Sequence, residues 1–156
     1  MSEKTLWINL RKKMIPQYWS EATRHEDAYQ RGIADVSFVQ RDKGLSLNEC
    51  TLPSLVTGRH GFVELKFRGM APIRQSTACK IPHYTDDQRK WLMSKGKAGG
   101  MTFLLLQLGR SFMLFDHVTC QDVGLITTKQ LRDTANWISN DGLDARGLWE
   151  AINESG

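Results

Sequence analysis

Gly61-Phe62-Val63-Glu64-Leu65-Lys66-Phe67 is the stretch whose reading decides the fold. Apolar and charged residues alternate strictly here. Residues 62–67 therefore form a strand with Val63, Leu65 and Phe67 on one face and Glu64 and Lys66 on the other. Upstream, Gly32-Ile33-Ala34-Asp35-Val36 opens another strand over residues 33–39. Ala34, Val36 and Phe38 point one way along it, and Asp35 and Ser37 the other. Paired with their apolar faces together, these strands bring Asp35, Glu64 and Lys66 into one pocket. Neighbouring carboxylates repel each other unless a cation lies between them, and an oxygen pair with room for water suits Mg2+. A lysine beside them is placed to orient an attacking water and to stabilise charge developing on a phosphate. Glu-x-Lys alone is common on half-exposed strands, so the weight lies in its combination with Asp35.

Outward from these strands, residues 3–14 read as a helix that stops before Pro16, with Leu6, Leu10 and Met14 at helical spacing. Residues 18–26 are either a short helix or an extended approach to the first strand. The polar run 40–61 reads as a long loop or an irregular hairpin extension. Residues 69–83, with two prolines and with Arg74 and Lys80, read as a mobile basic loop. A helix over 85–95 has Thr85 as N-cap, Asp86 and Asp87 in its first turn, and Gln88 at the capping-box position. Gly96, Gly99 and Gly100 end it. Residues 101–108 and 111–116 form a hairpin through Gly109-Arg110, followed by helices over 128–138 and 148–152. The alternation of elements indicates an α/β domain with a central mixed sheet flanked by helices.

Bulk composition narrows the class further. A chain of 156 residues with 40% hydrophobic and 24% charged content suits one soluble domain, 1–156, with a real core. No segment is long and apolar enough for a membrane span, and Arg11-Lys12-Lys13 interrupts the N-terminal apolar run, so an intracellular, cytoplasmic protein is expected. Three cysteines, Cys50, Cys79 and Cys120, at wide spacings do not make a disulfide framework, and no local pair supplies zinc-ligand spacing beyond Cys79 and His83. The net charge of +4, from 21 Lys+Arg against 17 Asp+Glu, favours a polyanionic partner only modestly. Its distribution says more, because Arg68, Arg74, Lys80 and Arg89 flank the segments that carry the carboxylates and are the expected phosphate contacts.

These residues, taken in order, resemble the PD-(D/E)XK nuclease superfamily, and within it phage-encoded members akin to VRR-NUC and Holliday-junction-resolvase domains. The resemblance is carried by Gly32-Ile33-Ala34-Asp35-Val36, then Val63-Glu64-Leu65-Lys66, then Gln88 and Trp91 on the following helix. Lys95-Gly96 and the apolar hairpin Phe103-Leu104-Leu105-Leu106 with Phe112-Met113-Leu114-Phe115 complete it. It covers roughly residues 20–116, leaving 117–156 as a C-terminal helical part. Ala34 stands where the family commonly has proline.

The resemblance implies a restriction-endonuclease-like core and a Mg2+- or Mn2+-dependent deoxyribonuclease, with branched or junction DNA among its candidate substrates. Asp35, Glu64 and the backbone carbonyl of Leu65 would hold the metal, and Lys66 would handle the attacking water. Glu26, in Arg24-His25-Glu26, would be an additional acid, with Glu21 the alternative. Gln88 would come from the helix behind the site, although its capping-box position explains it equally well. Junction resolvases of this family act as dimers, so a homodimer is an expectation too. The rival reading is a catalytically inactive nucleic-acid-binding accessory or inhibitor protein on a nuclease fold. Retention of Asp35, Glu64 and Lys66 together speaks against it.

Overall fold

The computed structural model describes residues 2–25, 34–41 and 58–155. It begins with helix α1 (Glu3–Met14), which starts where Ser2 accepts a hydrogen bond from the Thr5 amide and ends at Ile15, whose backbone is extended. Glu3 in its first turn and Arg11, Lys12 and Lys13 in its last complement the helix dipole. Leu6, Leu10 and Met14, four residues apart, form its buried stripe.

The sheet has six strands in the order β1 (Trp19–Arg24), β2 (Val36–Gln40), β3 (Arg59–Arg68), β4 (Met101–Leu108), β5 (Ser111–Asp116) and β6 (Trp137–Ser139). Among the described residues, only β3 and β4 run parallel, and helix α2 (Asp86–Lys97) lies between them in the chain. The other neighbours are antiparallel. The expected α/β architecture, a central mixed sheet flanked by helices, is therefore present.

Both faces of the sheet are covered, so β4 and β5 are apolar almost throughout instead of alternating. On one face Val36, Phe38, Val63, Leu65, Phe103, Leu105, Phe112 and Leu114 pack with α1 and with Leu148, Ala151 and Ile152 of α4 (Ala145–Glu154). On the other, Leu104, Leu106, Met113 and Phe115 pack with Leu92 of α2, with Cys120 and with Leu131 of α3 (Thr128–Thr134). Cys79 and Cys120 are buried free thiols. Among the described residues, no helix is long and apolar enough to cross a membrane.

Several sequence expectations are corrected. The ambiguous segment after α1 is strand β1: Trp19 stacks on Phe38 with ring centroids 4.4 Å apart, and its indole N–H donates to Gln40 Oε1 at 2.8 Å. Ala34 does not share the face of Val36 and Phe38. It packs in the opposite core, because the chain bends at Asp35 and the strand alternation begins only at Val36. The helix expected over 128–138 stops at Thr134, and Trp137–Ser139 instead pair with β5. The Asn136 amide donates to Leu114 O at 2.8 Å, and Asn136 Oδ1 accepts from the Asp116 amide at 2.9 Å, which ties this segment to the sheet edge. The residues after 116 thus add a strand as well as helices.

The loop 69–83 is cross-braced where mobility was expected. Arg68 donates through Nε to Met70 O and through a terminal guanidinium nitrogen to Lys80 O, both at 2.7 Å, and Cys79 N–H donates to Ile126 O at 2.8 Å.

Candidate metal and catalytic centre

The site forms where β2 and β3 part. Their pairing runs from Gln40 opposite Arg59 to Val36 opposite Val63 and then ends. Past that point, among the described residues, Asp35 bonds to β3 where a ladder partner would lie. Asp35 Oδ2 accepts from the Leu65 amide at 3.1 Å, and the Asp35 amide donates to Glu64 Oε2 at 3.2 Å. Each carboxylate is thereby fixed against the other's strand.

Glu64 and Lys66, two residues apart on β3, share the face that looks toward α2 and are only 1% and 2% exposed. Lys66 Nζ lies 2.7 Å from Glu64 Oε1, which also accepts from Gln88 Nε2 at 2.6 Å. The two explanations of Gln88 are both realised by one amide. Its Oε1 accepts from the Thr85 N–H at 3.0 Å and completes the capping box of α2, while its nitrogen holds Glu64.

Burial pushes the Glu64 carboxyl up to about 7, and the negative charge of Asp35 adds to the rise. The Lys66 ammonium and the Asp35 amide pull it down, but by less. A buried carboxylate beside another carboxylate is the electrostatic situation that a cation between them relieves. The side-chain oxygens that meet here belong to carboxylates, which fit a hard divalent ion that keeps part of its water shell. Among the described residues, no cluster of three or more His, Cys, Asp or Glu side chains offers a fuller cage. Asp35 and Glu64 are the carboxylates that could hold such an ion, with the Leu65 carbonyl as the further ligand that the resemblance implies.

One neighbour escaped the sequence reading. Glu3 Oε1 lies 3.7 Å from Lys66 Nζ, so the first turn of α1 supplies a second acid to the lysine. In the sequence Glu3 is an acid just after an N-cap serine, which the helix dipole alone explains. Its role depends on how α1 packs against β3, and no local pattern announces that.

The other expected residues are more scattered. Glu26 lies outside the described residues. Glu21 is exposed on edge strand β1, in register through Val39 with His60 and not with Glu64. His25 approaches the site from β1: its amide donates to Asp35 O at 2.7 Å and its Nε2 lies 2.9 Å from Ser37 Oγ. Of the expected phosphate contacts, Arg74 and Lys80 are exposed on the loop. The Arg68 guanidinium braces that loop. Arg89 is occupied structurally, donating to Asp86 Oδ1 at 3.0 Å and Val123 O at 2.7 Å while lying 4.3 Å above the Tyr84 ring.

No family model matches this chain, and no curated protein matches it. Among solved structures, it is similar to the Hjc Holliday junction resolvase of the archaeal hyperthermophile Archaeoglobus fulgidus, at 16% identity and a TM-score of 0.40. That similarity covers 75% of this chain and 70% of the resolvase. It carries no weight for the chemistry, which has to stand on the residues themselves.

Proposed function

We propose that this protein is a divalent-metal-dependent deoxyribonuclease of the PD-(D/E)XK type. The observation that carries the reading is the buried Glu64 carboxylate, held at once by Lys66 Nζ at 2.7 Å and by the Asp35 amide at 3.2 Å. A buried lysine and two convergent carboxylates are expensive to desolvate, and a core of this size does not need them for stability. Such groups cluster where chemistry requires them.

Asp35, Glu64 and the Leu65 carbonyl would hold Mg2+ or Mn2+. When bound, the ion supplies Lewis acidity toward a phosphoryl oxygen and makes water a stronger nucleophile at neutral pH. The protein's own groups do the rest. Lys66 presents a buried ammonium that can orient a water by hydrogen bonding and offset negative charge gathering on the phosphate. Glu3 Oε1, 3.7 Å away, adds a second negative charge beside that ammonium. Gln88 locks the orientation of Glu64, and through the capping box it couples that orientation to the start of α2. Arg74 and Lys80, exposed on the 69–83 loop, would meet the DNA backbone. Hydrolysis by these parts is insensitive to base sequence, because every named contact is to phosphate or water.

The test is metal dependence in DNA cleavage together with metal binding. The wild-type protein should nick supercoiled plasmid with Mg2+ or Mn2+ and not with EDTA. Asp35→Asn should lose Mn2+ affinity in calorimetry and cleavage together. DNA binding with no cleavage under any metal would instead select the accessory or inhibitor reading.

A further inference from the structure

The loop 69–83 carries two large apolar side chains in water: Met70 is 73% exposed and Ile73 is 95% exposed. Single exposed apolar residues are ordinary on protein surfaces. These two differ in how they are held. Arg68 braces both ends of the loop through Met70 O and Lys80 O. The Thr77 amide donates to Arg74 O at 3.1 Å, Ala78 bridges to Thr127, and Gly109 N–H donates to Arg68 O at 2.9 Å. A backbone tied down at its start, middle and end holds Met70 and Ile73 outward.

Along the loop itself the charge is of one sign. No carboxylate occurs between Glu64 and Asp86, whereas Arg74 and Lys80 are exposed on the loop and Arg68 stands at its start. Behind the loop, a groove of about 620 Å3 runs between Pro72 and Gln75 on one side and Lys129 and Arg132 on the other. A second copy of the chain docking here by two-fold symmetry would bring like-charged loops together, which disfavours it. The occupant that fits cations surrounding apolar tips is a polyanion with an apolar interior. DNA answers that description, with phosphates outside and stacked base faces within.

We propose that the 69–83 loop is a wedge that inserts Met70 and Ile73 between the bases of an unpaired or weakly stacked DNA step, while Arg74 and Lys129 hold the flanking phosphates. This rests on the nuclease reading, since it takes DNA as the ligand. The loop springs from the end of β3, where Arg68 lies only about 7 Å along the strand from Lys66 at the usual rise per residue. A wedge there distorts DNA near the site of chemistry and selects substrates that distort easily.

The experiment uses a duplex with a short unpaired bulge, labelled beside it with 2-aminopurine, and a fully paired duplex of the same sequence. Binding is measured in the Lys66→Ala background with Mg2+. Met70 and Ile73 are exposed, so M70S/I73S should fold normally. The parent should bind the bulged duplex roughly tenfold more tightly than the paired one, with a rise in fluorescence as the labelled base unstacks. Adding M70S/I73S should abolish both the preference and the rise while leaving paired-duplex affinity intact. In an otherwise wild-type chain, M70S/I73S should still cut supercoiled plasmid. Retention of preference and fluorescence in the variant overturns the wedge, and so does a parent that binds both duplexes equally, even if plasmid cleavage proceeds normally. Should M70S/I73S instead abolish binding to anionic vesicles or self-association, with DNA binding unchanged, the loop belongs to a membrane or to a second copy and the wedge is wrong. Failure to bind or cut any DNA removes the nuclease reading itself, and the wedge with it.

Discussion

Asp35 and Glu64 are joined through backbone amides: the Asp35 N–H donates to Glu64 Oε2 at 3.2 Å, and Asp35 Oδ2 accepts from the amide of Leu65, the residue after Glu64, at 3.1 Å. Neither carboxylate can turn away without stranding an N–H at the point where β2 and β3 separate. The repulsion between them is thus built into the backbone, and several consequences can be measured.

The first concerns pH in the metal-free protein. Glu64 rises from 4.5 to about 7 in the folded state, first through burial and then through Asp35. A carboxyl raised on folding favours the folded state in its protonated form. Its contribution is full below about 4.5 and is lost as pH climbs through about 7. In EDTA, the Tm should therefore fall across that window. Glu64→Gln should flatten the fall, and Mg2+ should restore the Tm of the wild type on the alkaline side. A wild-type Tm that is flat or rising across the window contradicts the electrostatic account.

Gln88 permits its two roles to be separated. Gln88→Ala loses both the cap and the bond to Glu64, and should cost about 1 kcal/mol of stability as well as activity. Gln88→Glu can keep the capping box but faces Glu64 with a like charge. It should unfold near the wild-type temperature and lose about tenfold or more in metal affinity. Equal metal affinity in Gln88→Glu and wild type would reduce Gln88 to a cap.

Glu3 should matter to rate more than to folding. Glu3→Gln removes the charge 3.7 Å from Lys66 Nζ, while the stability lost at the helix N-terminus is only about 0.3–1 kcal/mol. We expect cleavage to fall by about tenfold, as for other groups that orient a reacting one, with thermal unfolding little changed. Unaltered cleavage would return Glu3 to its helix-dipole role.

Asp116 predicts the acid limb of stability. Burial raises its carboxyl, but hydrogen bonds from the Thr119 and Val118 amides, the Thr119 hydroxyl and Asn136 outweigh it, so the net shift is downward. A carboxyl lowered on folding contributes above its unfolded value, and that contribution is lost as pH falls through the folded one. Asp116→Asn should reduce stability at neutral pH by about 1–3 kcal/mol and weaken the acid dependence of denaturant midpoints. A variant with the wild-type midpoint at neutral pH would remove Asp116 as a structural anchor.

How much of this was legible from sequence depends on whether the cause is local. Helix α1 and the β4–β5 hairpin were readable to their ends, because the helical spacing of Leu6, Leu10 and Met14, a proline stop and the Gly109-Arg110 turn are local signals. Glu64 and Lys66 share a face as period-two alternation required, and the resemblance brought Gln88 beside them, whereas Asp35 meets them through a bend before β2 and its bonds to Glu64 and Leu65, not through alternation along its own strand. The 128–138 segment misled for a physical reason. Thr127 does cap a helix, and Leu131, Ala135 and Ile138 recur at helical spacing, but pairing with β5 captures the chain after Thr134. Glu3 and the structural engagement of Arg89 with Tyr84 and Val123 depend on packing between distant elements, which no local pattern encodes.

In the proposed chemistry Lys66 acts on a DNA phosphate beside a metal ion that Asp35 and Glu64 would hold. The most direct measurement compares Lys66→Ala with wild type in single-turnover cleavage of supercoiled plasmid with Mg2+, while Mn2+ affinity and the circular dichroism spectrum are recorded for both. The expected result is a folded variant that still binds the metal and has lost about a thousandfold or more of its cleavage rate. A folded Lys66→Ala protein that cuts as fast as wild type would contradict it.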